Sequence, residues 1–413
     1  MPKRFILVIF AFTCFLLSLV DRVNLSVVAP VLMKHYGWTP ITMGVVLSAF
    51  FWGFSASPLI GGWLADRMGG KRILEFGALW WSLWTLLTPF APGIIGFSIF
   101  RALLGLGEGV NAPAIQSLAS RWFPVHERAR AVSIYLSGSP VGTIIAFPLT
   151  TWIIASFGWP AAFYMFGALG AMWVILWHFF GASSPESHPT ISDEERRYIV
   201  EGRKTSAELG KVPWRKVLTK APVWGLVSTT FSVAWVVWLF IAWLPTYLME
   251  THRFSLKESG VYSALPFVSN IIGQVAYGWV QDRFIARGAS ITVVRKVSLS
   301  IAFVGAIVFL LLIPNAKDAM RAVWYLIAAM ALFSGAQMTV MVNNIDIGPR
   351  HAGVILGLQA TAGNIAGAIS PIVAGVILVR TGSFNGVFYL IVALLVVSGI
   401  MWNLFATGEK VID

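Results

Sequence analysis

Long apolar stretches separated by short polar turns run along the whole chain. Each stretch is long enough to cross a hydrocarbon layer of about 30 Å as a helix, at a rise of ~1.5 Å per residue. Twelve such stretches cover residues 5–31, 42–65, 73–91, 94–120, 129–156, 160–181, 222–249, 259–281, 294–314, 321–346, 351–379 and 384–406. The pattern predicts an all-α membrane protein with twelve transmembrane helices.

The only sizeable polar tract lies between the sixth and seventh stretches, at residues 183–220. We therefore expect a six-helix bundle over 1–182, a cytoplasmic linker over 183–220 and a second six-helix bundle over 221–413. Within the linker, Ser192 and Glu195 have the spacing of a capping box, which predicts a short amphipathic helix after Ser192.

The two halves repeat short glycine-containing motifs about 220 residues apart. The motif after the second stretch returns after the eighth, and a glycine pair in the fifth returns in the eleventh: Gly62-Trp-Leu-Ala-Asp66-Arg67 with Gly278-Trp-Val-Gln-Asp282-Arg283, and Gly138-xxx-Gly142 with Gly363-xxx-Gly367. Such repeats are typical of secondary transporters. They predict two pseudo-symmetric bundles.

Composition and charge narrow the class of protein. The 413 residues are 57% apolar and 12% charged, too few charges to cover one soluble unit. The net charge of +12 could suggest nucleic acid, but most of the 30 lysines and arginines lie in alternate turns, which indicates membrane topology instead. This asymmetry predicts cytoplasmic termini and no nucleic-acid partner.

No residue pattern points to a metal, a cofactor or catalysis. The single Cys14 excludes a disulfide framework, and the six histidines lack ligand spacing. No serine lies in a pattern typical of a nucleophile. We therefore expect neither an enzyme nor a cofactor.

The turn after the second stretch, Gly62-xxx-Asp66-Arg67-Met-Gly69-Gly-Lys71-Arg72, resembles the signature of the major facilitator superfamily. Arg121-Trp-Phe-Pro-Val-His-Glu127-Arg128 and Asn344-Ile-Asp346-Ile-Gly-Pro349 resemble the anion:cation symporter family within it. That family includes bacterial sugar-acid transporters and animal sialic-acid, vesicular glutamate and phosphate carriers. The resemblance implies two six-helix bundles and proton-coupled transport of an anion.

Four charged residues lie deep within apolar stretches: Asp21, Arg22, Arg101 and Glu108. A charge in a membrane span costs at least ~2.5–3.5 kcal/mol, so such residues usually serve a function. Arg101 and Glu108 share one helix face, and Gly105 between them is expected to leave room for a ligand.

Our hypothesis is that Arg22 binds a substrate carboxylate, whose geometry its planar fork matches. Asp21 and Glu108 would then carry protons. Burial favours the protonated form of a carboxyl group and a nearby arginine favours the ionised form, so a group held between the two can gain and lose a proton. The alternative is a structural ion pair that joins the first and fourth spans.

Further substrate contacts are expected from polar residues on other spans. The resemblance suggests that Asn364 hydrogen-bonds the polar body of the substrate, with an interhelical hydrogen bond as the alternative. Other candidates are Arg101, Ser139, Tyr135 and Asn344, although an aromatic residue such as Tyr135 often serves packing.

The repeated turn motif is interpreted as a conformational latch, formed by Gly62, Asp66, Arg67, Lys71, Arg72, Asp282 and Arg283. Acids there can cap helix N-termini, and cations can bind C-terminal carbonyls. The alternative is loop charge that sets topology. Asp346, near Pro349, is interpreted as a structural cap, with a proton site as the alternative.

These observations favour a proton-coupled symporter of an organic anion, a sugar acid or related carboxylate, working by alternating access. We expect a multi-pass monomer in the lipid bilayer of a bacterial inner membrane, with protons and a small organic anion as partners. The alternatives are an anion exchanger or exporter, a sodium-coupled anion or phosphate carrier, and an integral-membrane enzyme.

Overall fold

A computed structural model describes residues 2–203 and 213–412. In these ranges the chain forms sixteen α-helices, joined by short turns: α1 (Lys3–Tyr36), α2 (Pro40–Met68), α3 (Gly70–Leu87), α4 (Gly93–Glu108), α5 (Asn111–Trp122), α6 (Val125–Leu136), α7 (Gly138–Phe157), α8 (Trp159–Phe180), α9 (Asp193–Gly202), α10 (Trp214–Thr219), α11 (Ala221–His252), α12 (Leu256–Ala286), α13 (Ile291–Leu312), α14 (Ala319–Ile347), α15 (Ala352–Thr381) and α16 (Asn385–Phe405).

In the described ranges, 10 helical segments are long and apolar enough to cross a membrane. Two of them are built from helix pairs, because α4 and α5 form Gly93–Trp122 and α6 and α7 form Val125–Phe157. The more polar helices α3 and α12 complete a set of twelve. The twelve predicted transmembrane helices are thereby confirmed, and the protein is a multi-pass membrane protein.

The chain divides into two compact units. The first unit contains Met1–Trp38 and Val45–Ala207, and the second contains Thr39–Gly44 and Glu208–Asp413. In the first unit α7 packs on α1 and α8 packs on α3, whereas in the second α15 packs on α11 and α16 on α13. Equivalent helices therefore make equivalent pairs, and the predicted internal repeat is confirmed.

Glycines allow neighbouring helices in the first unit to touch along their backbones. A Cβ atom on Gly142 of α7 would overlap the carbonyl oxygen of Leu16 in α1, and one on Gly53 of α2 would overlap that of Ala102 in α4. Gly105 of α4 likewise meets the backbone of Phe50 in α2. The expectation that Gly105 leaves room for a ligand was wrong, because α2 fills that space.

The linker helix α9 begins as expected, with the Ser192 side chain accepting a hydrogen bond from the backbone N–H of Glu195 at 3.2 Å. The Glu195 carboxylate, however, does not close a capping box on Ser192. It instead accepts the backbone N–H groups of Lys3 at 2.9 Å and Arg4 at 3.1 Å. A residue of α9 thus satisfies donors at the start of α1, where a helix has no partners of its own.

The Arg4 guanidinium extends this contact into a network that we call the linker bridge, formed by Arg4, Glu127, Glu195 and Tyr198. Arg4 pairs with Glu195 at 3.1 Å and with Glu127 of α6 at 2.9 Å. The Tyr198 hydroxyl donates to the same Glu127 at 2.9 Å. The linker helix is therefore held against α1 and α6 by charge-assisted hydrogen bonds, which are the stronger kind.

Replacing Gly53 by Ala is expected to lower the thermal stability of the detergent-solubilised protein, because the new methyl group has no space between α2 and α4. Overpacking of this kind costs about 1–3 kcal/mol. The matched control is Gly357→Ala in α15, where nothing lies within 4 Å of the added Cβ. Intrinsic-fluorescence melting should show a lower Tm for Gly53→Ala alone, and equal melting of the two variants would contradict the packing.

Replacing Glu195 by Gln is expected to expose the linker helix to trypsin, because the bridge to Arg4 loses its negative charge. A charged hydrogen bond is worth ~1.5–3 kcal/mol, so its loss should raise the rate of cleavage within α9 roughly tenfold or more. Glu194→Gln is the control, since Glu194 is exposed and lies outside the bridge. Equal cleavage rates in the two variants would show that the bridge does not hold α9.

Candidate functional site

The deepest charged contact in the first unit joins α1 to α4. The Arg22 Nε donates to the Glu108 Oε2 at 2.7 Å, and the two side chains are 12% and 0% exposed. The guanidinium also lies over the rings of Phe50 at 4.6 Å and Phe54 at 4.4 Å, both in α2. The ion pair named among the alternatives is therefore formed, and aromatic faces support its cation.

Asp21 and Arg101 lie beside this pair, and each is 3% exposed. The Arg101 Nη1 donates to the backbone carbonyl of Asp21 at 3.4 Å, so it does not bind that carboxylate directly. In the described ranges, the Asp21 Oδ1, the Arg101 Nε and the Glu108 Oε1 have no hydrogen-bond partner. The structure thus gathers all four predicted charges into one buried cluster that retains unused hydrogen-bonding capacity.

The same helix carries polar residues near this cluster to which the sequence assigned no role. The Ser18 hydroxyl accepts a hydrogen bond from the Asn111 amide of α5 at 3.1 Å. Asn24 is fully buried, and its amide atoms have no hydrogen-bond partner in the described ranges. Ser18, Asp21 and Asn24 recur every three residues, and this helical spacing was the signal that could have revealed them.

The remaining candidates of the first unit differ in their surroundings. Tyr135 is buried, its hydroxyl donates to Gln116 at 3.3 Å, and its ring stacks on Phe15 with centroids 5.7 Å apart. These contacts agree with a packing role for Tyr135, because its ring is stacked and its hydroxyl already has a partner. Ser139 is half-buried, and its hydroxyl makes no hydrogen bond within the part of the chain that the structure describes.

In the second unit, Asn364 of α15 is half-buried. Its amide makes no hydrogen bond among the described residues, so the interhelical hydrogen bond named as the alternative is not formed. Asn344 differs, since its amide donates to Gln359 at 3.0 Å, and Gln359 in turn donates to Thr230 at 3.0 Å. Asn344 therefore joins α14, α15 and α11.

Asp346 does not cap a helix, and that prediction was wrong. Its carboxylate pairs with the guanidinium of Arg295 in α13 at 2.8 Å, and the side chains are 13% and 6% exposed. Arg295 also donates to the Gln281 side chain of α12, which donates to Thr339 at 2.9 Å. A second buried ion pair thus joins α12, α13 and α14.

Arg295 was not among the predicted site residues, because it lies beside Lys296 at the start of a span, where loop charges that set topology also occur. The usable signal is helical periodicity. Arg295 shares its face with residues that all prove buried, namely Ser298, Leu299, Ala302, Ala306 and Leu310.

The latch residues lie at the ends of α2 and α12 and at the start of α3. Arg67 stacks on Trp63 at 4.0 Å, and Arg283 stacks on Trp279 at 5.2 Å, so the repeat extends to the same side-chain contact in both units. The Lys71 Nζ donates to the carbonyl of His178 in the last turn of α8 at 2.7 Å, as expected for a cation at a helix C-terminus.

The acids of the latch make no such contact. Asp66 and Asp282 are exposed, and neither forms a hydrogen bond or ion pair with another described residue. Arg72 is also exposed, and a Cβ on Gly62 would lie 3.6 Å from Pro113. The latch role of these residues stays a prediction.

Twelve spanning helices in two repeated units, with a buried ionic cluster on α1 and α4, define a class of membrane transporter rather than an enzyme. The family model of the Major Facilitator Superfamily matches residues 11–371. The chain belongs to this superfamily and, within it, to the anion:cation symporter family.

Two similar proteins come from Arabidopsis thaliana. The chloroplastic ascorbate transporter is 39% identical over 414 residues, which cover 100% of this chain and 76% of that protein. The chloroplastic sodium-dependent phosphate transport protein 1 is 40% identical over 414 residues, which cover 100% of this chain and 81% of that protein.

Solved structures share the fold. A bacterial homologue of the human lysosomal transporter Spinster has a TM-score of 0.81 at 18% identity, with 98% of this chain and 97% of that chain covered. A D-xylose–proton symporter has a TM-score of 0.77 at 14% identity, with 98% of each chain covered.

Replacing Arg295 by Met is expected to destabilise the protein by about 3–5 kcal/mol, because the mostly buried Asp346 carboxylate loses its cation. The double variant Arg295→Met with Asp346→Leu should recover most of this loss, since no buried charge is left alone. Denaturant unfolding in detergent gives the coupling energy. If the loss in unfolding free energy of the double variant equals the sum of the losses of the two single variants, the buried pair is not coupled.

Proposed function

We propose that the protein is a secondary active transporter that carries an organic anion together with protons by alternating access. The observation that supports this best is the buried pair between Arg22 and Glu108, 2.7 Å apart. A buried ion pair whose members can each take a second partner, one an anion and the other a proton, has the components that symport requires.

The substrate would bind through Arg22. A carboxylate offers two oxygens in one plane, which match the guanidinium fork, and charge-assisted bonds of this kind are about twice as strong as neutral ones. The rings of Phe50 and Phe54 lie within cation–π distance of the guanidinium and stabilise its charge.

The proton would bind to Glu108. When a substrate carboxylate takes Arg22, the fully buried Glu108 loses its cation, and an unpaired buried charge is costly. Protonation removes that cost, and in the other direction a protonated Glu108 releases Arg22 for the substrate. Because such linkage is reciprocal, the anion and the proton favour each other's binding.

Asp21 would serve as a second acid. Its carboxylate is buried, its Oδ1 has no hydrogen-bond partner in the described ranges, and Arg101 lies within electrostatic reach. Arg101 binds the Asp21 carbonyl, so we assign it to holding this cluster rather than to the substrate. In the second unit, Asn364 is a candidate for a neutral substrate contact, because its half-buried amide has no protein partner among the described residues.

For the substrate we propose a carboxylate, a sugar acid or a related compound. The name of the ascorbate transporter relative supports a hydroxylated organic anion. The name of the similarly related sodium-dependent phosphate transport protein makes sodium-coupled phosphate transport the second candidate.

We further propose a bacterial inner membrane as the location, with both termini in the cytoplasm, from the lysine and arginine asymmetry. We also propose that one chain is the functional unit, since the duplicated bundle supplies its own symmetry.

Uptake of radiolabelled D-gluconate and orthophosphate into proteoliposomes tests the proposal, with a pH gradient, a sodium gradient or neither. We expect a pH gradient to drive accumulation of D-gluconate. Glu108→Gln should abolish the accumulation but retain exchange across the membrane, since Gln still offers Arg22 an acceptor and cannot carry the proton. Accumulation by Glu108→Gln at the wild-type level would overturn the coupling role.

Arg22→Lys should weaken anion binding by about ten- to a hundredfold, because a lost charge-assisted bond is worth ~1.5–3 kcal/mol. The control is Arg321→Lys, a half-exposed arginine that pairs with Asp318 of its own helix turn. Sodium-driven orthophosphate uptake without D-gluconate uptake would favour the second candidate.

A further inference from the structure

Three amide side chains form a hydrogen-bonded relay in the second unit, between α12 and α14. We call Asn270, Gln274 and Gln337 the amide triad. The Asn270 Nδ2 donates to the carbonyl of Met330 at 3.0 Å and to the Gln337 Oε1 at 2.6 Å. The Gln274 Nε2 donates to the Asn270 Oδ1 at 2.8 Å.

The relay fixes the direction of every amide in it. A backbone carbonyl only accepts, so the Asn270 atom that faces Met330 must be its NH₂ group. The Asn270 oxygen must then accept from Gln274, and the Gln337 oxygen must accept from Asn270. One carbonyl oxygen of α14 therefore sets the orientation of all three side chains.

The two outer ends of the relay remain open. The Gln337 Nε2 and the Gln274 Oε1 have no hydrogen-bond partner among the described residues, and both side chains are half-buried. Gln359 of the second unit shows the contrast, because it is 4% exposed and uses both of its amide ends on Asn344, Thr230 and Val340. Gln359 therefore offers no free polar atom to a ligand, whereas Gln274 and Gln337 offer one acceptor and one donor.

The open end of Gln274 does not belong to the lipid-facing side of α12. That side carries the strongly exposed residues Ile272, Val275 and Trp279, which are 65%, 71% and 62% exposed. At ~100° per residue these lie roughly 140–200° around the helix from Asn270 and roughly 100–160° from Gln274, so both α12 members of the triad face away from them. Polar atoms without partners are costly in hydrocarbon.

We propose that the amide triad binds a hydroxyl-bearing part of the transported anion and so selects hydroxylated carboxylates over unhydroxylated ones. An amide N–H end and an amide C=O end together suit a hydroxyl group, which both accepts and donates. Orthophosphate offers mainly acceptors and suits this pair less well. This inference rests on the proposed function, because it presupposes that the transported substrate is an organic anion.

The test compares two acids of equal chain length, D-gluconate and hexanoate, as competitors of carboxylate uptake in proteoliposomes. The wild-type protein should prefer D-gluconate. Gln337→Met removes the outer donor and Gln274→Met the outer acceptor, each with a side chain of similar length. Each variant should reduce the preference by about tenfold or more, as expected when a polar group loses its hydrogen-bond partner.

The matched control is Gln359→Met, which removes a buried amide that has no open end. It should lower the Tm and leave the preference unchanged. Fluorescence size-exclusion profiles identify the variants that fold. Because the two triad variants lie on different helices, the test still works if one of them fails to fold.

Several results would overturn the assignment. The proposed role of the triad is refuted if both folded triad variants keep the wild-type preference, or if the wild-type protein binds the two acids equally. Neither result contradicts carboxylate transport. If the wild-type protein binds neither acid, both the role of the triad and the proposed function are refuted.

Discussion

A charge cannot remain alone in the hydrocarbon region of a membrane, and this constraint organises the first unit. The Arg22 guanidinium on α1 finds the Glu108 carboxylate on α4, and the rings of α2 cover its faces. Close backbone packing at Gly53 and Gly105 brings α2 and α4 together. The Arg22–Glu108 pair is thus a consequence of packing, and in the proposed mechanism it is also the element that a substrate anion and a proton would open together.

The second unit satisfies the same constraint in another way. Its buried ion pair between Arg295 and Asp346 lies where α12 and α13 adjoin, at the end of α14, and is tied to Gln281. Deeper in α12 and α14 the polar groups are neutral amides. A neutral amide is less costly to bury than a charge. It can still donate and accept hydrogen bonds, which suits recognition of the uncharged body of a substrate. We therefore assign coupling to the first unit and recognition of the substrate body to the second.

The sequence predicted the twelve helices well, because span length and apolarity are local properties of the chain. It also located Asp21, Arg22, Arg101 and Glu108, since charges within apolar stretches are rare. Their partners depended on helix packing, which no local pattern encodes. The room expected beside Gly105 is filled by α2 for that reason.

Features at span ends and among neutral polar residues were harder to predict. Arg295 was hidden among the lysines and arginines that set topology, and Asp346 was taken for a cap because Pro349 lies close by. An amide with an open end and one without have the same composition, so only coordinates distinguish Gln274 and Gln337 from Gln359.

The central claim is that the anion and the proton share the Arg22–Glu108 pair. Isothermal titration of D-gluconate in buffers of different ionisation enthalpy counts the protons taken up on binding. The wild-type protein should take up about one proton more per anion than Glu108→Gln does, because only the wild type has a carboxylate to neutralise when Arg22 turns to the substrate. Equal proton uptake by the two proteins would contradict the account.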